Sequence, residues 1–87
     1  MTEASLLDFP CRFPIKALGK EADGIDQVVL EIVRRHAPET DRSQLSSRSS
    51  RNGRYISVTV TIRASSQAQL DDIYRELSAH GQVIMAL

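Results

Sequence analysis

Residues 51–64 read RNGRYISVTVTIRA, a short turn signal followed by ten residues of strict alternation. Asn52-Gly53 between two extended runs predicts a β-hairpin in which both turn residues have positive φ. From position 56 onward every second residue is apolar, so the apolar and polar side chains lie on opposite faces of a sheet. We therefore expect a central strand over residues 55–64 with one face covered by a core and the other open.

The first helix is predicted over residues 25–36. Its apolar residues recur at helical spacing and form one continuous stripe: Ile25, Val28, Val29, Ile32 and Val33. Asp23 is the expected N-cap, because its carboxylate can accept a hydrogen bond from the first free N–H groups. Pro38 is expected to stop the helix.

The second helix is predicted to begin after Ser66, which acts as its N-cap, with Gln69 completing a capping box. Gly81 is the expected terminator in the left-handed conformation. The apolar stripe of this helix consists of Leu70, Ile73, Tyr74 and Leu77.

Three shorter segments predict the remaining strands. The first runs from about Arg12 to Leu18 and ends at Gly19, with Pro14 early in the strand or at an edge. The second lies within the polar stretch 39–50 and suits a sheet edge, and the last covers residues 83–87.

The resulting order is β-α-β-β-α-β. With right-handed crossovers it predicts an α+β fold of the ferredoxin-like type, a sandwich of a four-stranded antiparallel sheet with both helices on one face. We expect a single domain over residues 1–87, with residues 1–5 disordered.

Composition excludes several classes of function. The 11 basic and 11 acidic residues balance, whereas dedicated nucleic-acid binders usually carry a basic excess. The single cysteine, Cys11, cannot form an internal disulfide or a multi-cysteine metal site, so we expect no metal and no cofactor. We expect no signal peptide, because the first residues lack a basic start followed by an apolar stretch, and no apolar run reaches membrane-spanning length. These features predict a cytoplasmic protein without membrane partners.

Catalytic and nucleic-acid-binding patterns are missing as well. His36 and His80 each end a helix, where a positive charge favours the helix dipole. No nucleophile is accompanied by a recognisable base, so we do not expect an enzyme. Only Tyr55 among the aromatic residues is predicted on the open face, and one ring is not a platform for stacking bases.

The candidate site is therefore the open face of the sheet. Its expected members are Lys16, Tyr55, Ser57, Thr59 and Arg63, with Arg48 and Arg54 beside the hairpin. These residues would bind an acidic protein surface or a small acidic ligand, or would only protect an edge from unwanted pairing. Gly19 is a second candidate, because a glycine after the first strand lets a ligand approach the start of the first helix. The alternative is a simple turn glycine.

Several stretches of the chain resemble the YbeD family of small, uncharacterised bacterial proteins, from about Leu6 to Leu87. The matching positions are Leu6-Leu7-Asp8-Phe9-Pro10, Phe13, Lys16, Gly19, Asp26-Gln27-Val28-Val29, Arg35-His36-Ala37-Pro38, Ser50, Gly53-Arg54-Tyr55, Ser57 and Val83-Ile84-Met85-Ala86-Leu87. The resemblance implies the same β-α-β-β-α-β order and a likeness to the ACT-type regulatory domain of amino-acid-biosynthetic enzymes. Family members often lie beside lipoate-biosynthesis genes, which implies a regulatory role in that pathway.

These observations together predict a non-enzymatic regulatory or interaction module. Its partner would be a metabolic enzyme or a second copy of the chain, bound by the open face or by an exposed edge strand. A small-ligand sensor for an amino acid or another carboxylate is the alternative.

Overall fold

The computed structural model describes residues 7–87, so the predicted disorder of residues 1–5 lies outside it. The strands are β1 (Cys11–Lys20), β2 (Leu45–Ser49), β3 (Tyr55–Ala64) and β4 (Val83–Ala86), and the helices are α1 (Ile25–His36) and α2 (Gln67–Ala79). Two single 3-10 turns, Glu21–Asp23 and Arg42–Gln44, precede α1 and β2.

The four strands form one antiparallel sheet in the order β2-β3-β1-β4. The core lies on one face of it, where the apolar side chains of β1 and β3 pack against the stripes of α1 and α2. The other face carries no helix from residues 7–87 and is called here the open face. The predicted α+β, ferredoxin-like fold is confirmed, with β3 central and β2 at an edge. Within residues 7–87, no helix is long and apolar enough to span a bilayer.

The prediction that the first strand ends at Gly19 was wrong, because β1 continues to Lys20. Gly19 lies inside the strand and is paired with Ile56 on β3 and with Val83 on β4. A Cβ at this position would lie 2.3 Å from Cγ1 of Ile25 and 2.9 Å from the carbonyl oxygen of Gln82. Glycine is required here because the first residue of α1 packs directly on the backbone of β1, and not because the chain turns.

The helix ends differ from the predicted caps in two places. The N-cap of α1 is Gly24, in the left-handed conformation with φ 64°, whereas Asp23 belongs to the preceding 3-10 turn. Gly81 does not have a positive φ, and α2 ends at His80 in an extended conformation. Both predictions were wrong because local capping preferences were outweighed by the connections to β1 and β4.

The start of α2 confirms Ser66 as its N-cap, since the Ser66 hydroxyl accepts from the Gln69 amide at 3.1 Å. The second half of the predicted capping box is replaced by a longer link. The Gln69 side chain accepts from the amide of Ser65 and donates to the carbonyl of His36, each at 2.8 Å. Gln69 therefore joins the start of α2 to the end of α1.

The β2–β3 hairpin is confirmed, but not as a two-residue turn. The Ser50 carbonyl accepts from the Gly53 amide at 2.9 Å, and Ser50 N–H donates to the Tyr55 carbonyl at 2.8 Å, which leaves a four-residue loop, 51–54. Only Gly53 has positive φ. Asn52 acts through its side-chain oxygen instead, which accepts from the Arg54 amide at 3.2 Å.

Strand β4 contains a bulge that changes which side chains face outward. Leu18 is paired with Met85 but Gly19 with Val83, so Ile84 is an extra residue. Plain alternation from the buried Val83 would turn Met85 and Leu87 toward the core. The extra residue reverses the alternation and places both on the open face.

The two helices are joined by a small charged cluster at the end of α1. Arg35 Nη1 lies 2.6 Å from Oε1 of Glu76, and His36 Nε2 lies 2.8 Å from Oε2. The hydrogen bonds from His36 and Arg35 lower the pKa of Glu76 from its usual value of 4.5. A carboxyl group with a lowered folded-state pKa adds stability above its unfolded-state pKa, and this contribution is lost as the pH falls through the folded-state pKa.

We expect Glu76→Gln to be less stable than the wild type at pH 7. The difference should shrink as the pH falls below 4.5, because the wild-type carboxylate is then protonated as well. Urea unfolding from pH 7 to pH 3 measures this. Glu39→Gln is the control, since Glu39 is exposed and has no ion pair among the described residues. A Glu76→Gln difference that stays constant over this range would contradict the assignment.

Gly19→Ala is expected to lower the free energy of unfolding by about 1–3 kcal/mol, because the new methyl group overpacks Ile25 and the Gln82 backbone. Gly81→Ala is the matched control, since its Cβ would meet nothing within 4 Å, and we expect a change below about 0.5 kcal/mol. Guanidinium unfolding of both variants checks this. Equal effects would show that the close approach of Ile25 to Gly19 is not the reason for the glycine.

Candidate functional site

Side chains on the open face form rows across the sheet, because the register pairs each outward residue with outward neighbours. One row contains, from β2 to β4, Arg48, Ser57, Leu18 and Met85. The next contains Ser46, Thr59, Lys16 and Leu87, where Leu87 is joined to Lys16 by two main-chain hydrogen bonds. In the outer rows Tyr55 lies beside Lys20, Thr61 beside Pro14 and Arg63 beside Arg12.

The open face carries basic side chains and no acidic ones, since none of the four strands contains Asp or Glu. The basic residues of the face and the adjoining loop are Arg12, Lys16, Lys20, Arg48, Arg51, Arg54 and Arg63, out of 11 Lys and Arg in the chain. The ion pairs found within residues 7–87 all lie in the helices or the turn at Arg42. None of these basic side chains therefore forms an ion pair with a described residue.

Arg12 and Arg63 are the clearest case of uncompensated charge. They are directly opposite each other on β1 and β3, and both side chains are exposed. Side chains directly opposite in an antiparallel pair have Cβ atoms about 5 Å apart, and like charges there destabilise the sheet. A cost of this kind is typical of positions selected for binding and not for stability.

Two adjacent depressions lie on the open face. The larger has a volume of about 500 Å³ and is lined by Lys16, Ala17, Leu18, Ser46, Ser47, Arg48, Ser57, Thr59, Met85 and Leu87. The smaller is lined by Leu18, Arg48, Ser49, Ser50, Tyr55 and Ser57. Arg48, Ser57 and Leu18 belong to both, so this row is the ridge between them. In the larger depression the hydroxyl groups and Arg48 lie toward β2, the side chains of Met85 and Leu87 lie toward β4, and Lys16 lies on β1 between them.

The predicted site residues fall into three places. Lys16, Arg48, Ser57 and Thr59 come together in the larger depression, and Tyr55 lines the smaller one. Arg63 lies further along the face beside Arg12, and Arg54 lies in the hairpin loop. Gly19 is on the opposite face, beneath Ile25.

Sequence reasoning missed five residues of the open face: Arg12, Lys20, Ser46, Met85 and Leu87. Period-two alternation along β1 indicates Arg12 within the predicted strand, and it indicates Lys20 once the strand is extended past Gly19. No sequence signal indicated Met85 and Leu87, because their orientation depends on the bulge at Ile84.

The side chain of Leu87 is held on the open face although it is 67% exposed. Its amide donates to the Lys16 carbonyl at 2.7 Å, and its carbonyl accepts from the Lys16 amide and from the Tyr74 hydroxyl. Burial raises the pKa of Tyr74, so this hydroxyl stays protonated and remains a donor at neutral pH. The backbone of Leu87, whose side chain belongs to the apolar part of the larger depression, is thus held partly by a hydroxyl group of α2, on the core side of the sheet.

The described part of the chain offers no metal-binding group, since its His, Cys, Asp and Glu side chains nowhere gather in threes suited to a metal ion. Cys11 is a free, half-buried thiol. The chemistry available on the open face is therefore that of cations, hydroxyl groups and apolar side chains, which bind anionic and amphipathic surfaces.

Comparisons with known proteins place the chain in a family. A family model described as a protein of unknown function, DUF493, matches residues 4–87. A UPF0250 protein of Nitrosomonas europaea is 52% identical over 87 residues, the full length of both chains. A UPF0250 protein of Azotobacter vinelandii is 45% identical over 98% of this chain and 94% of its own. These matches confirm the resemblance to the YbeD family, and their names assign no enzymatic activity.

A solved structure shares the fold at much lower sequence identity. The solution structure of protein HP0495 from H. pylori superposes with a TM-score of 0.71 and 15% identity, covering 99% of this chain and 90% of the other. This similarity supports the ferredoxin-like arrangement and carries no information about a ligand or partner.

We expect Arg63→Glu to raise the free energy of unfolding by about 0.2–1 kcal/mol at low salt, because the repulsion from Arg12 becomes an attraction across the strands. Arg63→Gln, which only removes the repulsion, should give a smaller gain, and both gains should shrink in 1 M NaCl. Urea unfolding at both salt concentrations measures this. An Arg63→Glu variant less stable than the wild type at low salt would show that the pair is not repulsive.

Proposed function

The chain belongs to the DUF493 family of proteins of unknown function, and on that premise we propose that it is a non-enzymatic interaction module whose open sheet face binds an acidic surface of a partner protein. The uncompensated positive charge of the open face carries this proposal. A cationic face without internal acids attracts a surface of opposite charge and disfavours one of like charge.

The larger depression supplies the contacts that would complete such binding. Lys16 and Arg48 line it together with the hydroxyl groups of Ser57 and Thr59. A carboxylate of the partner could accept hydrogen bonds from both cations, and charge-assisted hydrogen bonds are about twice as strong as neutral ones. Arg63 and Arg54 extend the positive charge toward the two ends of β3.

The identity of the partner rests on the resemblance to the YbeD family. Family members often lie beside lipoate-biosynthesis genes, so the proposed partner is a metabolic enzyme of that pathway, and the proposed consequence of binding is regulation of its activity.

The other binding modes are less well supported by the geometry. A small ligand beside Gly19 would occupy the space filled by the fully buried Ile25, so the proposal does not include a sensor at that position. Addition of a strand to β2 would use an edge of only five residues. Neither alternative explains the repulsive Arg12–Arg63 pair.

The test begins with capture of the partner from the native organism and continues with the purified partner. When that protein is titrated into the isotope-labelled chain, we expect shifted resonances at Lys16, Tyr55, Ser57, Thr59 and Arg63. Arg48→Glu should weaken the affinity roughly tenfold, because a buried interfacial attraction becomes a repulsion.

Arg34→Glu is the matched control for this experiment. Arg34 is exposed on α1, on the helical side of the molecule, and the substitution changes the net charge by the same amount. The two variants are compared by isothermal titration calorimetry. Equal losses of affinity, or shifts confined to the helices, would contradict the proposed role of the open face.

A further inference from the structure

Four apolar side chains of the open face lie on one diagonal stripe. It runs from Tyr55 on β3 across Leu18 on β1 to Met85 and Leu87 on β4. Tyr55, Met85 and Leu87 are 37%, 50% and 67% exposed. Exposed apolar side chains that are contiguous and bordered by polar residues mark an interaction surface more often than scattered ones do.

Basic side chains border this stripe on both sides. Lys20 lies beside Tyr55 on one side, and Lys16 and Arg48 lie on the other, in the rows defined by the sheet register. We infer that the partner presents an amphipathic α-helix whose apolar stripe packs on Tyr55, Leu18, Met85 and Leu87 and whose acidic flanks face Lys20, Lys16 and Arg48. This inference rests on the proposed function and specifies the shape of the partner.

The length of the stripe sets the length of the helix. Tyr55 and Leu87 are separated by four residues along the strands and by two strand spacings across them, which gives about 17 Å. An α-helix covers that distance in about 11 residues, or three turns. Its apolar residues are therefore expected at i, i+4, i+7 and i+11, with Asp or Glu on both borders of that stripe.

A helix suits this surface better than an extended segment does. The main-chain groups of the inner strands already pair within the sheet, so a strand lying on the face could not use them. A helix satisfies its own backbone hydrogen bonds and needs to supply only side chains. Burying a sheet face against helices is also how the opposite side of this sheet is covered.

A second copy of the chain does not fit the same surface. The apolar stripes of α1 and α2 are already buried against the sheet, so residues 7–87 contain no free amphipathic helix. Face-to-face pairing of two open faces would bring the two sets of cations together, which costs affinity. Charge complementarity therefore favours an acidic helix from a different protein.

The test uses two peptides of about 15 residues on an alanine background. Both carry four leucines and four glutamates, but only the first has leucine at i, i+4, i+7 and i+11 with glutamate on both borders. Binding to the full chain is measured by fluorescence anisotropy at low salt. We expect the first peptide to bind at least about tenfold more tightly than the second, since only a contiguous stripe can cover the diagonal.

Two single substitutions on β4 give a matched comparison. Met85→Ser removes a side chain of the stripe that lines the larger depression, whereas Ile84→Ser removes a neighbour of similar exposure, 53% against 50%, that does not line it. Met85→Ser should weaken binding of the first peptide about tenfold, and Ile84→Ser less than about twofold. Equal effects of the two substitutions would overturn the inference.

Further outcomes separate this inference from the proposed function. If both peptides bind with equal affinity and Arg48→Glu lowers the affinity of both, the proposed acidic partner is supported and the inference of an amphipathic helix is wrong. If neither peptide binds and Arg48→Glu leaves the captured partner's affinity unchanged, both are wrong. Tighter binding of a labelled oligouridylate than of the first peptide would also overturn the inference, because the face would then prefer a phosphate backbone.

Discussion

Ile25 packs directly on the backbone of Gly19, and the rest of the arrangement follows from where this contact lies. It brings the first residue of α1 against the last part of β1. The carbonyl of Gln82 closes on the same glycine, just before β4 begins, and the bulge at Ile84 lies opposite this point. Because the bulge reverses the alternation of β4, the packing of Ile25 on the core side is connected to the exposure of Met85 and Leu87 on the open side.

Much of the fold was predictable because its signals are local and repeated. Five apolar residues at period two defined β3, and the stripe beginning at Ile25 defined α1 with the bounds that the structure shows. The features that escaped prediction depend on contacts between distant segments. From the sequence alone Gly19 is predicted to end a strand, and only the packing of Ile25 on its backbone explains the glycine. Asn52 is predicted to have a positive φ, whereas in the structure its side-chain oxygen accepts a hydrogen bond from the Arg54 amide.

The candidate site was likewise predictable only where its signals are local. Alternation alone placed Lys16, Tyr55, Ser57 and Thr59 on one surface, but it gave no neighbours across the strands. The register brings Arg12 opposite Arg63, and it assembles an apolar diagonal from three strands. Pro14 shows the same dependence on register. Its missing N–H falls where β1 extends beyond β4, so the absent donor does not interrupt the pairing with either neighbour.

The strands carry Lys and Arg but no Asp or Glu, and this excess of cations on one side gives the neutral molecule an electric dipole moment across the sheet. Since its formal net charge is zero, a distant acidic body exerts almost no net pull on it. Only at separations of about a Debye length does the electric field of that body become strong enough to rotate the chain, positive pole first. Such a molecule should dissociate again after most encounters with other macromolecules. It should become oriented only when its distance from a charged partner surface falls to about 1 nm.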